Sequence, residues 1–573
     1  MNNVELADVF ERIASLLDIK GEVVYKTLAY RRVAENLRSL PSDVNIYWQE
    51  NRLDEIPGVG KAISEKIDEL LRTGNLGFLE RLEQEVPPSL LEMLQVPDVG
   101  PRKVALFWKQ AGVKTLAELE AAARNEKLRN LPGMGEKSEA RIIAGIEALS
   151  RRSHRMLLGN AWIIADSLLI DLRKQPGVVR AEAAGSLRRW KSTIGDLDLV
   201  AGCANPLPVM EWFTHHPDCH RILASGENKS SIELNNGINV QLWIQPPERF
   251  GTLLQFVTGS KEHNVHLREL AQKQNLSLSE QAIVDASGKE FVFSHEEDVY
   301  KALGLPYIIP ELREDRGEIQ AAQENRLPNL LKLEDIRSDF HMHTTWSDAA
   351  NSVKEMALAA RELGYHTIAI TDHTSGLGIA GGLTVEGLVE QRKDIDAVQK
   401  ELGDSILILQ GAEVEIKADG SLDYPDDVLS KMDIVVASLH TSLRQPRERI
   451  TERLVNVIRN PHVDIIGHPS GRLLPNREGA DLDYDVILKE ARKAGIVLEI
   501  NASYSRLDLD EVHARLASEM GILLAIDADA HTIDQLQLMA FGVSVARRAW
   551  VNPELIINTW NREKLLSWLA SRR

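Results

Sequence analysis

Cysteine is almost missing from this chain: Cys203 and Cys219 are the only two in 573 residues, and they form no Cys-x-x-Cys pair. A disulfide framework is therefore excluded, and a reducing cytoplasm is the expected compartment. Long apolar runs are missing too, so no bilayer-spanning segment and no membrane partner is expected. The opening residues lack a signal-peptide profile, since Glu5, Asp8, Glu11 and Arg12 interrupt them. Leu6, Val9, Phe10, Ile13, Leu16 and Leu17 instead recur at the spacing of an amphipathic helix. Positive charge is short as well. A formal net charge of -18 argues against a protein that coats nucleic acid by bulk electrostatics, but it leaves room for local contacts through backbone amides or a small basic site. The length exceeds what one hydrophobic core can hold, so three or more domains are expected.

What is present begins with a repeat. Ile56-Pro-Gly58-Val-Gly60-Lys61, Val96-Pro-Asp98-Val-Gly100-Pro101 and Leu131-Pro-Gly133-Met-Gly135-Glu136 share one frame, each between helical stretches. The first glycine permits a tight turn, and the second opens a helix whose free N–H groups can hold a backbone phosphate without much basic charge. Gly58, Gly60, Gly100, Gly133 and Gly135, with Lys61, Lys66 and Arg102 on the following helices, are the expected DNA contacts. Asp98 replaces the first glycine in the second copy, which of the three copies makes that one the least suited to hold DNA and the best suited to a structural role.

From about residue 151 short β-like runs appear, among them 178–184, 196–201 and 238–244. Gly185-Ser186 with Arg189 precedes Gly195-Asp196-Leu-Asp198. Asp-x-Asp on a strand places two carboxylates on one face, where they can share Mg²⁺, and a Gly-Ser turn can cradle a triphosphate. Residues 315–334 read as a polar linker, and beyond them strands and helices alternate to the end, as in a parallel sheet or barrel.

Seven apolar runs in that last region each close on ligand chemistry. They end at His341 and His343, at Asp372-His373, at Glu413, at His440, at His468, at Glu499 and Asn501, and at Asp529 and His531. The C-terminal ends of parallel strands open onto one face, and packing alone does not call for so many imidazoles and carboxylates there. Six histidines with Asp348, Glu413 and Asp529 exceed the needs of one ion, so two or three divalent ions are expected, Zn²⁺, Mn²⁺ or Fe²⁺ by donor type. Clustered ions activate water and neutralise developing charge on a phosphodiester, and Arg472 nearby can clamp the phosphate.

From about residue 335 the chain resembles a polymerase-and-histidinol-phosphatase (PHP) domain. The resemblance implies a distorted, TIM-like seven-stranded α/β barrel with three metals, held by His341, His343, Asp348, His373, Glu413, His440, His468, Asp529 and His531. With Phe256-Val-Thr-Gly-Ser260, Asn264, Arg268 and the hairpins, the whole chain resembles a bacterial family X DNA polymerase fused to such a domain. This implies a multidomain protein: a helical DNA-binding, lyase-like domain over 1–85, helix-hairpin-helix fingers over 86–150, an α+β nucleotidyltransferase palm over 151–250 and a thumb over 251–314. The linker over 315–334 and the PHP domain over 335–573 complete it. Gly185, Ser186, Arg189 and Gly195 would meet the triphosphate, Asp196 and Asp198 would carry Mg²⁺, and Asn264 and Arg268 would lie by the incoming dNTP and template. Lys66 falls where related repair polymerases have a lyase lysine, although a surface or phosphate-contact role suits it better.

Two positions of the polymerase half depart from the family. Val240-Gln241-Leu242-Trp243 stands where a third metal-binding aspartate is usual, and Trp190 follows the arginines where a small residue is usual. An amide carries no charge and takes no proton from a primer hydroxyl. The expected protein is thus a metal-dependent 3′–5′ exonuclease or 3′-end-processing enzyme of DNA repair, acting on gapped or nicked DNA, with an impaired polymerase half. An active gap-filling polymerase with PHP proofreading, and less readily a histidinol-phosphatase-like phosphatase of small molecules, are the alternatives.

Overall fold

The computed structural model describes residues 1, 3–38, 44–96, 99–153, 155–376 and 381–572. Two compact units divide them, one built on Met1–Ser153 and the other on His154–Gly376 with Leu383–Arg573.

The first unit is entirely helical. Leu6, Phe10, Ile13 and Leu17 on the helix Asn3–Lys20 are buried with Val33, Leu37, Ile67 and Phe107, so the apolar stripe legible in the sequence is the core face. Gly58 and Gly133 take φ of +83° and +74°, the left-handed turn each repeat calls for. Gly60 starts the helix Lys61–Thr73 and Gly100 starts Pro101–Ala111, neither with a capping side chain, and a Cβ on either glycine would meet nothing within 4 Å. Asp98 lies outside the described residues. Lys66 Nζ donates to Ala62 O at 2.9 Å and sits 5.0 Å from the Phe78 ring centre.

The second unit holds three layers of structure. Its five-stranded sheet runs, edge to edge, Val178–Ala183, Asp196–Cys203, Asn239–Gln245, Lys229–Leu234 and Cys219–Ala224. The helices Phe250–Thr258 and Lys261–Lys273 follow, then a small three-stranded sheet. Residues 315–334 are packed into the unit: they include the helix Glu318–Gln323, buried Glu318 meets His263 Nδ1 at 2.6 Å, and Leu331 is in the core. Gln320, Gln323, Glu324, Asn325 and Arg326 are exposed as a polar segment implies, while the internal pairing of Glu318 is what a hydropathy reading cannot show.

Seven strands, Ser338–Asp339, Thr367–Ile370, Leu407–Glu415, Ile434–Ser438, Ile465–Gly467, Val497–Asn501 and Leu524–Asp527, form one parallel sheet in chain order. The sheet is nearly closed. Between its first and last strands a single backbone bridge, Met342 with Ala530, is supplemented by side chains, with Phe340 N donating to Asp527 Oδ1 at 2.8 Å and Asn558 Nδ2 to Ser338 O at 3.0 Å. This seam is the distortion of the barrel. Arg548, 2% exposed, fastens the barrel to the preceding part of the unit: it donates to Arg189 O at 2.6 Å and meets Glu314 and Glu511 at 3.1 and 2.8 Å. Trp190, at φ +57°, turns its ring against Trp162 and Phe541. Among the described residues no helix is long and apolar enough to cross a membrane.

Candidate metal centre and the palm carboxylates

The strand ends bring all nine expected ligands to one mouth of the barrel. They fall into four overlapping groups: His343, Asp348, His373 and His531; His341, His343 and Asp529; His341, Glu413 and His468; His373, Glu413 and His440. Glu413 is central. Its Oε2 lies 3.5, 3.7 and 2.8 Å from nitrogens of His341, His343 and His373, and its Oε1 lies 3.3 and 2.9 Å from His440 and His468. Asp529 Oδ1 is 3.2 Å from His343 Nε2, and Asp348 Oδ1 is 3.4 Å from His531 Nε2.

These residues fit bound cations. Both Glu413 oxygens, both nitrogens of His343 and of His468, and His341 Nε2 are buried without a hydrogen-bond partner. So many orphaned donors and acceptors cost more than a fold tolerates unless ions satisfy them. Two ligands, His468 and Asp529, also adopt positive φ, +24° and +52°, a strain that concentrates at functional sites.

Two carboxylates unassigned by the sequence reading orient the imidazoles from behind. Glu499 Oε1 meets His341 Nδ1 at 2.6 Å, and Glu415 Oε2 meets His440 Nδ1 at 2.7 Å, leaving each Nε2 for a metal. Glu415 follows Glu413 by two residues on one strand, and that alternation was the signal for it. Burial presses His341 down, yet Glu499, Glu413 and Asp529 together hold it well above its usual range. For Glu413 burial is overcome by His440, His341 and His373, and its carboxyl stays ionised far below the usual range. Burial, then neighbouring His373, takes His343 down to about 3.

Arg472 is placed differently from the expectation. Its Nε donates to Arg506 O at 2.7 Å, its Nη2 donates to Leu507 O, and its Nη1 lies 3.6 Å from Asp510. The guanidinium is spent on a loop backbone. Proximity to His468 in sequence did not reveal that direction.

In the five-stranded sheet Asp198 pairs with Gln241 on the neighbouring parallel strand, so the three positions of the expected catalytic triplet do meet. Gln241 Nε2 donates to Asp196 Oδ2 at 2.9 Å. A carboxylate could not make that bond, and here it occupies a lone pair that a metal would use. Asp198 packs onto Gly185, where a Cβ would come within 2.1 Å of its Oδ2. Burial first, then Asp196, raises Asp198 to about 7, with Lys229 opposing. The remaining nucleotide-site candidates are partly committed elsewhere. Arg189 is bound to Thr258 O and Glu314, while Asn264 is buried and bonded to Gln255 and Phe256 O. Ser186 and Gly195 are half-buried beside the carboxylates' strand, and Arg268 is half-buried on the helix Lys261–Lys273.

If Asp198 must be ionised to bind a metal–nucleotide, residual extension should climb about tenfold per pH unit up to about pH 7 and then level. Single-turnover extension across that window checks this, and a flat profile below pH 7 would count against it.

Family comparison places these features in context. A helix-hairpin-helix domain model matches residues 1–76, a SAM-like helix-hairpin-helix tandem matches 90–148, a DNA polymerase beta thumb matches 253–314, and a PHP domain matches 339–503. The chain is 36% identical over 561 residues to the DNA polymerase/3′-5′ exonuclease PolX of Bacillus subtilis (strain 168), covering 97% of each. It is 34% identical over 232 residues to a probable phosphatase of Thermoanaerobacter sp. (strain X514), which spans 39% of this chain and 89% of that one. DNA polymerase lambda of Rattus norvegicus is 25% identical over 344 residues, 54% of this chain and 56% of its own.

Proposed function

Because the chain belongs to the bacterial family X DNA polymerases that carry a C-terminal PHP domain, we propose that its principal chemistry is metal-dependent 3′–5′ hydrolysis of DNA ends in repair. The convergence of nine ligands around Glu413 carries this reading. His341, His343, Asp348, His373, Glu413, His440, His468, Asp529 and His531 hold two or three ions, and the mixed donors favour Zn²⁺, Mn²⁺ or Fe²⁺. Such ions supply a nucleophilic hydroxide at neutral pH and balance charge on the phosphoryl oxygens. The chain's own part is to fix the ligands: Glu499 and Glu415 set the tautomers of His341 and His440, and the backbone bond from His343 N to Ala530 O holds His343 beside Asp529.

DNA is the partner, engaged by the two helix-hairpin-helix regions and the thumb. Gly58, Gly60, Lys61, Lys66, Gly100, Arg102, Gly133 and Gly135 are the proposed backbone contacts, with gapped or nicked 3′ ends as substrates. The palm still binds a metal–dNTP complex through Asp196 and Asp198, while the step that activates the primer hydroxyl is weakened. Gln241 replaces a charged ligand and occupies Asp196, and this favours an impaired polymerase over a gap-filling enzyme with proofreading. Primer extension beside end digestion on a one-nucleotide gap tests both halves. End digestion with Mn²⁺ and little extension with Mg²⁺ is expected; rapid Mg²⁺-dependent extension without digestion would reverse the assignment.

A further inference from the structure

Arg506 is the cation left over at the metal centre. It follows the barrel strand Val497–Asn501, so it stands at the same mouth as the nine ligands. Its Nε lies 3.4 Å from Asp529 Oδ2, the oxygen of that carboxylate turned away from His343. Its Nη1 is buried and has no hydrogen-bond partner. A buried guanidinium N–H group without an acceptor is costly, and such a group persists where a ligand brings the acceptor. A planar fork with one edge on Asp529 and another free suits a phosphate that presents two oxygens beside the ions.

The loop carrying Arg506 is built to hold it. Arg472 binds the carbonyls of Arg506 and Leu507, Leu474 N donates to Ser505 O at 2.6 Å, and Asp508 Oδ2 accepts from Ser470 N and Oγ at 2.9 Å each. Asn501 Nδ2 bonds to both Glu499 and Asp529, at 3.3 and 3.1 Å, tying the start of the loop to the ligands themselves. On its outer side Tyr504 packs directly on Gly159 of the palm, where a Cβ would come within 2.5 Å of the ring.

We propose that Arg506 grips the phosphate undergoing hydrolysis, through its unpaired Nη1, and that Arg472 is a positioning residue that fixes the loop presenting it. This rests on the phosphoesterase reading of the same centre, and it exchanges the roles that sequence adjacency gives the two arginines.

The test uses the full-length Mn²⁺-loaded protein, with Arg506→Gln, Arg506→Lys and Arg472→Gln. Three quantities are read: metal per chain by mass spectrometry, binding of inorganic phosphate by calorimetry, and the kinetics of 3′-end digestion. Arg506→Gln should keep its metal, bind phosphate about tenfold more weakly and digest about a hundredfold more slowly. Arg506→Lys should recover part of the phosphate binding, because the charge remains while the fork is lost. Arg472→Gln should move both in the same direction by less. Wild-type phosphate binding in Arg506→Gln would overturn the proposal, and so would metal loss in proportion to activity, since Arg506 would then merely support Asp529. A wild-type protein that holds metal yet neither binds phosphate nor digests ends would instead overturn the phosphoesterase reading beneath it.

Discussion

Glu413→Gln should cut 3′-end digestion by about a thousandfold or more, the equivalent of ~4 kcal/mol of barrier, while DNA gel shifts stay at wild-type strength. Glu413 belongs to two of the four ligand groups, and five histidine nitrogens lie within 3.7 Å of its oxygens. Glutamine keeps the shape but removes the charge that balances both ions and imidazolium, so metal per chain should fall together with activity. His341→Ala and Asp529→Asn should act in the same direction, since each removes a ligand from a shared cluster. On the proposed function DNA affinity has a different origin, in the first unit, where the open helix start at Gly60 is a proposed phosphate contact. Gel shifts, metal analysis and end digestion on one preparation separate the effects. Parallel loss of DNA binding would mean misfolding or a wrong site, and full activity at normal metal content would remove Glu413 from the centre.

The candidate ligands other than Asp348 were legible because they stand at or just past the ends of buried parallel strands, a position where packing wants no charge; Asp348 lies in the turn after the first strand. The hairpin glycines were legible because their spacing repeats. What escaped has one physical cause: side-chain direction set by residues distant in sequence. Arg472 reads as a phosphate clamp beside His468, but its guanidinium meets carbonyls at Arg506 and Leu507. Trp190 stands where a small residue is usual, and the structure supplies the partner for its ring, Phe541 of the barrel. Arg189 reads as a nucleotide contact, while Glu314 and Thr258 O engage it in the structure. Glu318 sits in what reads as a linker because its partner, His263, belongs to another helix. Glu499 lies within an apolar run, and only the folded barrel shows it against His341.

Gln241→Asp should raise Mg²⁺-dependent primer extension by about two decades, ~3 kcal/mol of barrier, and leave end digestion unchanged. In the present protein the uncharged amide of Gln241 donates to Asp196 Oδ2 and engages that oxygen where a third carboxylate would attract a cation. An aspartate there cannot donate. It would face Asp196 and Asp198 as a third negative group, and that repulsion is relieved only by a proton or a divalent ion. Asp198, already held at about 7 by burial and Asp196, would rise further in the metal-free variant and fall once the ion binds. The extension profile should therefore depend more steeply on pH and on Mg²⁺ concentration than that of the unmodified protein. Lys229 opposes the gain, because it lies 3.8 Å from the Trp243 ring centre and its charge already reaches Asp198. Mn²⁺ should partly rescue the unmodified protein, and Asp198→Ala in the Gln241→Asp background should return extension to baseline. Brisk Mg²⁺-dependent extension by the unmodified protein, lost in Asp198→Ala, would show that an amide suffices at this position and would restore the palm as the main active site.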